Sequence, residues 1–114
     1  MIDYTMCCQT VTVYRKTDRG ILRLEIPGCF LQWLEEEALD RLGRHRARKF
    51  LLVQPGERQL VFPGDRVLEG IGPDIDDAAW STFLPTLVPD LAEVSYATAY
   101  RWLGKYCHTE AGRK

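Results

Sequence analysis

Residues 49–73, KFLLVQPGERQLVFPGDRVLEGIGP, carry two short apolar runs on either side of a turn. Phe50 to Val53 is too short for an ordinary helix, contains a β-branched residue, and is closed by Pro55-Gly56, so it reads as a strand ended by a turn. Leu60-Val61-Phe62 repeats the apolar theme until Pro63-Gly64-Asp65 interrupts it. Arg66 to Ile71 then alternates polar with apolar residues, the pattern of a half-buried strand. The stretch predicts a β core with polar loops and contains no catalytic signature.

Working outward toward the N-terminus, Thr10 to Arg15 alternate, with Val11 and Val13 on one face and Thr10, Thr12 and Tyr14 on the other. Lys16 to Gly20 has the length and polarity of a hairpin connection, and Leu22, Leu24 and Ile26 line one side of the returning strand. Pro27-Gly28 bends the chain, and Cys29 to Trp33 continues as a short strand. From Leu31 the period changes. Leu31, Leu34, Ala38 and Leu42 form a helical stripe, acidic residues precede basic ones, and Glu37–Arg41 and Asp40–Arg44 are spaced four apart. These features predict a helix over 34–46, or else a charged insertion between strands.

Toward the C-terminus, Pro73 to Asp77 lacks the glycine and final glutamate of a calcium loop and reads as a turn in which Asp76 or Asp77 caps Ala78-Ala79-Trp80. Pro85 and Pro89 keep residues 81–90 from forming a long helix. Val94 to Trp102 is the longest period-2 pattern in the chain, with Tyr96, Tyr100 and Trp102 expected to face the interior. Gly104 ends it or makes a bulge, Tyr106, His108 and Glu110 alternate in a last strand, and Ala111 to Lys114 read as a frayed tail.

At 114 residues the chain is a single domain, 1–114, with an insertion about 34–48 and a long loop about 72–91. Its 46% hydrophobic and 27% charged residues argue for a folded core over disorder. A net charge of -1 removes any global attraction to nucleic acid or anionic membrane. No stretch approaches a membrane span, and Met1 to Cys8 lacks a basic region followed by an apolar run, so a cytosolic or cytosolically assembled protein is expected.

The four cysteines, Cys7, Cys8, Cys29 and Cys107, have neither the density nor the spacing of a disulfide framework and read as reduced thiols. A zinc site collecting Cys7, Cys8, Cys107 and His108 would lack a regularly spaced second ligand pair, and no metal or cofactor is expected. Neither His45 nor His108 is tied to a nucleophile by a motif, and the chain has no phosphate loop, dinucleotide fingerprint or H-E-x-x-H. The reading is of a protein that is not an enzyme, with no catalytic residue. The one marked charge cluster is Arg41, Arg44, His45, Arg46, Arg48 and Lys49, which is either a solvated face or a contact for DNA phosphate or an acidic partner.

The order of the pieces resembles a known family. Val-Thr-Val-Tyr at 11–14 opens the chain, a strand ends at Trp33, a charged insertion follows, and Phe-Leu-Leu-Val-Gln-Pro leads to Pro-Gly-Asp-Arg-Val-Leu-Glu-Gly. A tyrosine-rich strand then runs through Gly104 into Cys-His-Thr-Glu-Ala-Gly-Arg. This arrangement resembles the minor capsid and head-closure (stopper) connector proteins of tailed bacteriophages. The resemblance implies a small β-barrel or sandwich with a helical or mobile insertion. It also implies assembly as a homo-oligomeric ring in the virion neck, after synthesis in the host cytoplasm. The implied partners are portal or adaptor and tail proteins, with the basic residues facing packaged DNA or an acidic adaptor. The Ile71 to Pro89 segment departs from the pattern, and Trp80 and Phe83 within it are candidate contacts with neighbouring subunits or the tail. The competing reading is a small cytosolic β-barrel module that holds a peptide or nucleic acid on Trp80, Phe83, Tyr96, Tyr100 and Trp102.

Overall fold

The computed structural model describes residues 4–40, 43–85, 87–88 and 90–113, the side chains of 35–40 and 43–48 apart. The chain is mainly β, and the described residues form one curled antiparallel sheet of seven strands with a single helical turn. The elements are β1 (Gln9–Thr17), β2 (Gly20–Asp40), β3 (Gly43–Pro55), β4 (Arg66–Glu69), α1 (Asp77–Trp80), β5 (Leu91–Glu93), β6 (Tyr96–Trp102) and β7 (Lys105–Gly112). Their order across the sheet is β5-β4-β1-β2-β3-β7-β6. The two outermost strands are consecutive in the chain and separated only by Val94 and Ser95, so the sheet curls until its edges converge at that corner, as a half-barrel. Backbone bonds from Gly64 N to the Val94 carbonyl and from Val94 N to the Asp65 carbonyl fasten the corner.

The expected alternation in β1 is present, yet both of its faces are buried. Val11 and Val13 enter the main core with Ile26, Leu31, Phe50, Leu52, Val61, Val67, Val94 and Ala111. Thr12 and Tyr14 are buried on the other side, where Tyr14 joins Phe83 and Leu91 in a second small cluster. The cover on that side is the segment from Gly70 to Leu91. Tyr14 Oη donates to the Pro73 carbonyl at 2.6 Å, Thr12 Oγ1 donates to the Gly70 carbonyl and accepts from Gly72 N, and Arg23 reaches the Gly72 carbonyl. Arg66 donates to the Trp80 and Phe83 carbonyls. The segment following Gly70 is therefore a cover over β1 and β4. Asp76 caps α1 as read from sequence, its Oδ1 accepting from Ala79 N at 2.9 Å.

Four expectations are corrected. Residues 34–40 and 43–46 are strand, not helix, and β2 and β3 pair from Phe30↔Val53 out to Asp40↔Gly43. The register sets Glu35 opposite Arg48 and Glu37 opposite Arg46, so charges that could have paired along a helix fall at directly opposed ladder positions, where opposite signs favour an antiparallel pair. Residues 60–62 are not a strand, because their amides are taken by side chains: Leu60 N donates to Gln54 Oε1 and Phe62 N to Asp65 Oδ2. The pattern from Val94 to Trp102 is broken at the Val94–Ser95 corner, and only 96–102 form β6. Ala111 and Gly112 are not frayed. They are buried and pair with Leu52 and Leu51 on one side and with Ala97 and Tyr96 on the other.

Candidate interaction surfaces

Three surfaces stand apart from the core. The first is the far half of the β2–β3 ladder. On one side β7 accompanies β3 only as far as Leu51↔Gly112, and on the other β1 accompanies β2 only as far as Gln9↔Cys29, where Gln9 Oε1 also accepts from Leu31 N. Past those points the hairpin continues as a two-stranded arm, and among the described residues no third strand joins it. The radius of gyration of 15.2 Å exceeds the roughly 13 Å of a compact chain this long, and the longest dimension is 49 Å. At the root of the arm Trp33 and Phe50 face each other across the ladder with ring centroids 5.7 Å apart.

The arm carries the basic candidates. Arg44, Arg46 and Arg48 lie on β3 in the arm, with side chains outside the described residues, and Arg41 lies wholly outside them. Lys49 sits half-buried near the root. The fold thus gathers Arg44, Arg46, Arg48 and Lys49 on one strand, beside the strand that bears Glu35, Glu36 and Glu37.

The second surface is the β6–β7 hairpin. Leu103 and Gly104 form a two-residue turn between Trp102 and Lys105, with φ of 51° and 78°. Positive φ at both central positions is the hairpin turn that suits Asn-Gly, and leucine there costs conformational energy. Leu103 is also 86% exposed and Trp102 68%. Tyr100 is 44% exposed, so the expectation that Tyr100 and Trp102 face the interior is corrected. The cause is that alternation turns Ala97 toward the core and leaves Tyr100 on the opposite face, where it stacks on His108, while Trp102 stands at the hairpin end. A register shift at Tyr100/Arg101 leaves Cys107 as the extra residue on β7. It also lets Tyr106 Oη meet Thr109 Oγ1 at 2.6 Å and donate to the Gln54 carbonyl, away from the His108 and Glu110 side expected from plain alternation.

The third is a shallow cleft of about 340 Å³ lined by Tyr4, Met6, Cys7, Phe30, Val53, His108 and Glu110. Tyr4 Oη is hydrogen-bonded to His108 Nδ1 at 2.8 Å, the Tyr100 ring stacks on the imidazole at 5.0 Å, and Glu110 Oε1 lies 3.6 Å from His108 Nε2. Burial, reinforced by the nearby Cys107 and Cys7, raises the Tyr4 hydroxyl pKa, and the hydrogen bond to Glu110 raises that of Tyr100. Burial raises the Cys7 thiol as well, opposite to what a reactive thiol needs. Among the described residues no group of three His, Cys, Asp or Glu side chains is placed to hold a metal ion. The cysteines are all free, with Cys29 buried and its thiol pushed up to about 12 by burial.

Of the aromatic candidates, Trp80 is half-buried beneath the Arg66 guanidinium, 3.7 Å from its ring centroid. Phe83 is only 6% exposed, edge-on to Tyr14 at 4.6 Å, and as a core side chain it has little surface to offer a neighbour. Sequence reasoning passed over Leu103. Its signal was a leucine in the slot before Gly104 where a tight hairpin prefers asparagine. No helix among the described residues is long and apolar enough to cross a membrane. Comparison with known proteins returned no match to any family model, curated protein or solved structure.

Proposed function

We propose that the chain is a structural subunit that acts by contact, a ring-forming connector of the head-closure or minor capsid type that joins the DNA-filled head of a tailed phage to its tail. The observation that carries this reading is the two-stranded arm, a ladder that leaves the body of the fold and bears separate acidic and basic strands. An arm of this kind has little to stabilise it in isolation, since a lone hairpin is marginal in water, and it gains most when a neighbour covers it. The exposed hairpin tip at Trp102 and Leu103 supports the same reading, because solvent-exposed apolar groups on a strained turn gain by being buried in an assembly. Arg44, Arg46, Arg48 and Lys49 are the residues assigned to packaged DNA or an acidic adaptor surface, and the chain is expected in the virion neck.

The test is cryo-electron microscopy of particles produced by a host carrying the coding region, with antibody labelling of this chain. A ring of β-bodies between head and tail is expected. Absence of the chain from purified particles refutes the assignment. The exposure of Tyr100 and Trp102 favours a second reading, a cytosolic β-module that binds a peptide or single-stranded nucleic acid by stacking. Under that reading the chain is missing from virions and Trp102 fluorescence changes on titration with oligonucleotide or peptide.

A further inference from the structure

The sheet ends on two strands that differ in how well their edges are protected. β5 has only three residues, one of the ordinary ways in which an edge is kept from pairing with another chain. β6 has seven, Tyr96-Ala97-Thr98-Ala99-Tyr100-Arg101-Trp102, with no proline and Arg101 as its one charge. It pairs with β7 on one side, and among the described residues no strand pairs with the other. Seven residues of extended chain present about 23 Å of open backbone. Nothing in the composition of β6 defends that length.

The same molecule holds a strand with an open outer side. Residues 34–40 of β2 lie in the arm beyond its Trp33–Phe50 root, past the last β1 pairing at Cys29, and are long enough to span β6. We propose that the outer edge of β6 takes the arm strand Leu34–Asp40 of a second copy of this chain, so that the sheet of one copy continues into the arm of the next. Charge selects which strand of the arm docks. The β6–β7 hairpin exposes Arg101 and Lys105, Arg113 follows β7 directly, the acidic Glu110 lies on β7, and no acidic residue lies on β6. β2 brings Glu35, Glu36, Glu37 and Asp40, whereas β3 brings Arg44, Arg46 and Arg48 and meets like charge. Trp102 and Leu103 stand at the end of the edge, where the incoming strand and its hairpin cover them. Edge and arm are different surfaces, so the contact is head-to-tail and repeats into a ring or a filament. The partner so named rests on the connector reading, which asks for such a ring.

The experiment is sedimentation velocity of the full chain over a range of concentrations. It compares wild type, Arg101→Glu, a charge-swapped arm (Glu35→Lys, Glu36→Lys and Glu37→Lys together with Arg46→Glu and Arg48→Glu, so that the arm's own ladder still pairs opposite signs), and an equimolar mixture of the two variants. The altered side chain of Arg101 is exposed, and circular dichroism and melting confirm that both variants fold. Wild type is expected to self-associate. Each variant alone is expected to associate at least about tenfold more weakly, from like charges brought together, and the mixture is expected to recover because every junction again pairs opposite signs. A wild type that stays monomeric at its highest soluble concentration overturns the proposal. So do variants that associate like wild type, or a mixture that stays apart. Location in virions is read separately: association by this route in a chain missing from particles sinks the connector reading and leaves the strand pairing standing.

Discussion

Replacing Asp65 with alanine removes the group that ties the loop before β4 to β1. Asp65 is 1% exposed, and its two carboxylate oxygens meet Arg15 Nε at 2.8 Å and Nη2 at 2.7 Å. Oδ2 also accepts from Phe62 N at 2.9 Å, and the guanidinium lies over the Phe62 ring at 4.7 Å from its centroid. Breaking a buried ion pair from one side costs about 3–5 kcal/mol when the surviving charge is sealed from water. The Arg15 side chain is 30% exposed and still donates to the Leu60 carbonyl, so its share falls to about 1–2 kcal/mol after solvent screening. The orphaned Phe62 amide adds about 1–2 kcal/mol. The expected loss is therefore about 3 kcal/mol, equivalent to a melting temperature lower by roughly 12 °C in a domain of this size. Urea unfolding of wild type, Asp65→Ala, Arg15→Met and the double variant closes a cycle that isolates the pair. A loss under about 1 kcal/mol for Asp65→Ala, or singles that simply add in the double, refutes the reasoning.

Gly72 sits against the Tyr14 hydroxyl and Leu68, so Gly72→Ala is expected to cost about 2–3 kcal/mol by overpacking and to be partly rescued by Tyr14→Phe, read by thermal melting. Leu103→Asn is expected to raise stability by about 0.5–1 kcal/mol because asparagine tolerates the left-handed turn, and to weaken self-association in the same sedimentation assay. The Cys29 thiol, ordinarily 9.0, is raised to about 12 in the folded chain. The unfolded chain therefore loses its proton first, and Cys29 contributes stability that is intact below pH 9 and lost as the pH climbs toward 12. Unfolding curves across that window should fall less steeply for Cys29→Ala than for wild type. At pH 8 a thiol reagent is expected to label exposed Cys8 well before Cys29, followed by mass spectrometry of the digest.

Most of the strand content was legible from period-2 alternation: β1, the first half of β2, β4, β6 and β7 stand close to where the residues place them. The cap at Asp76 was legible too, since a short acidic side chain before Ala78-Ala79-Trp80 has a specific amide to satisfy. The arm was misread because Leu31, Leu34, Ala38 and Leu42 fit a helical stripe, and opposite charges four apart favour a helix as readily as opposite charges on facing strands favour a ladder. The basic cluster was found as a set of residue types, yet its gathering on one strand depends on the pairing of β3 with β2. The hairpin tip was missed because Trp102 alternates like a core aromatic, and only the tertiary structure places the core on the Ala97 face of β6 and Trp102 beside the turn.

The sequence by itself determined that the chain builds an antiparallel β body, because alternation over Thr10–Arg15, Ile21–Ile26 and Tyr96–Trp102 is a local property that needs no knowledge of the neighbours. The tertiary structure alone decided which strands have an inside and an outside. Val11 to Tyr14 are buried on both faces because the segment after Gly70 folds over β1, and Tyr100 and Trp102 are exposed because the core lies on the Ala97 face of β6. Burial is set by what lies across the sheet, often 50 or more residues away, and the local spacing of apolar side chains carries no record of that partner.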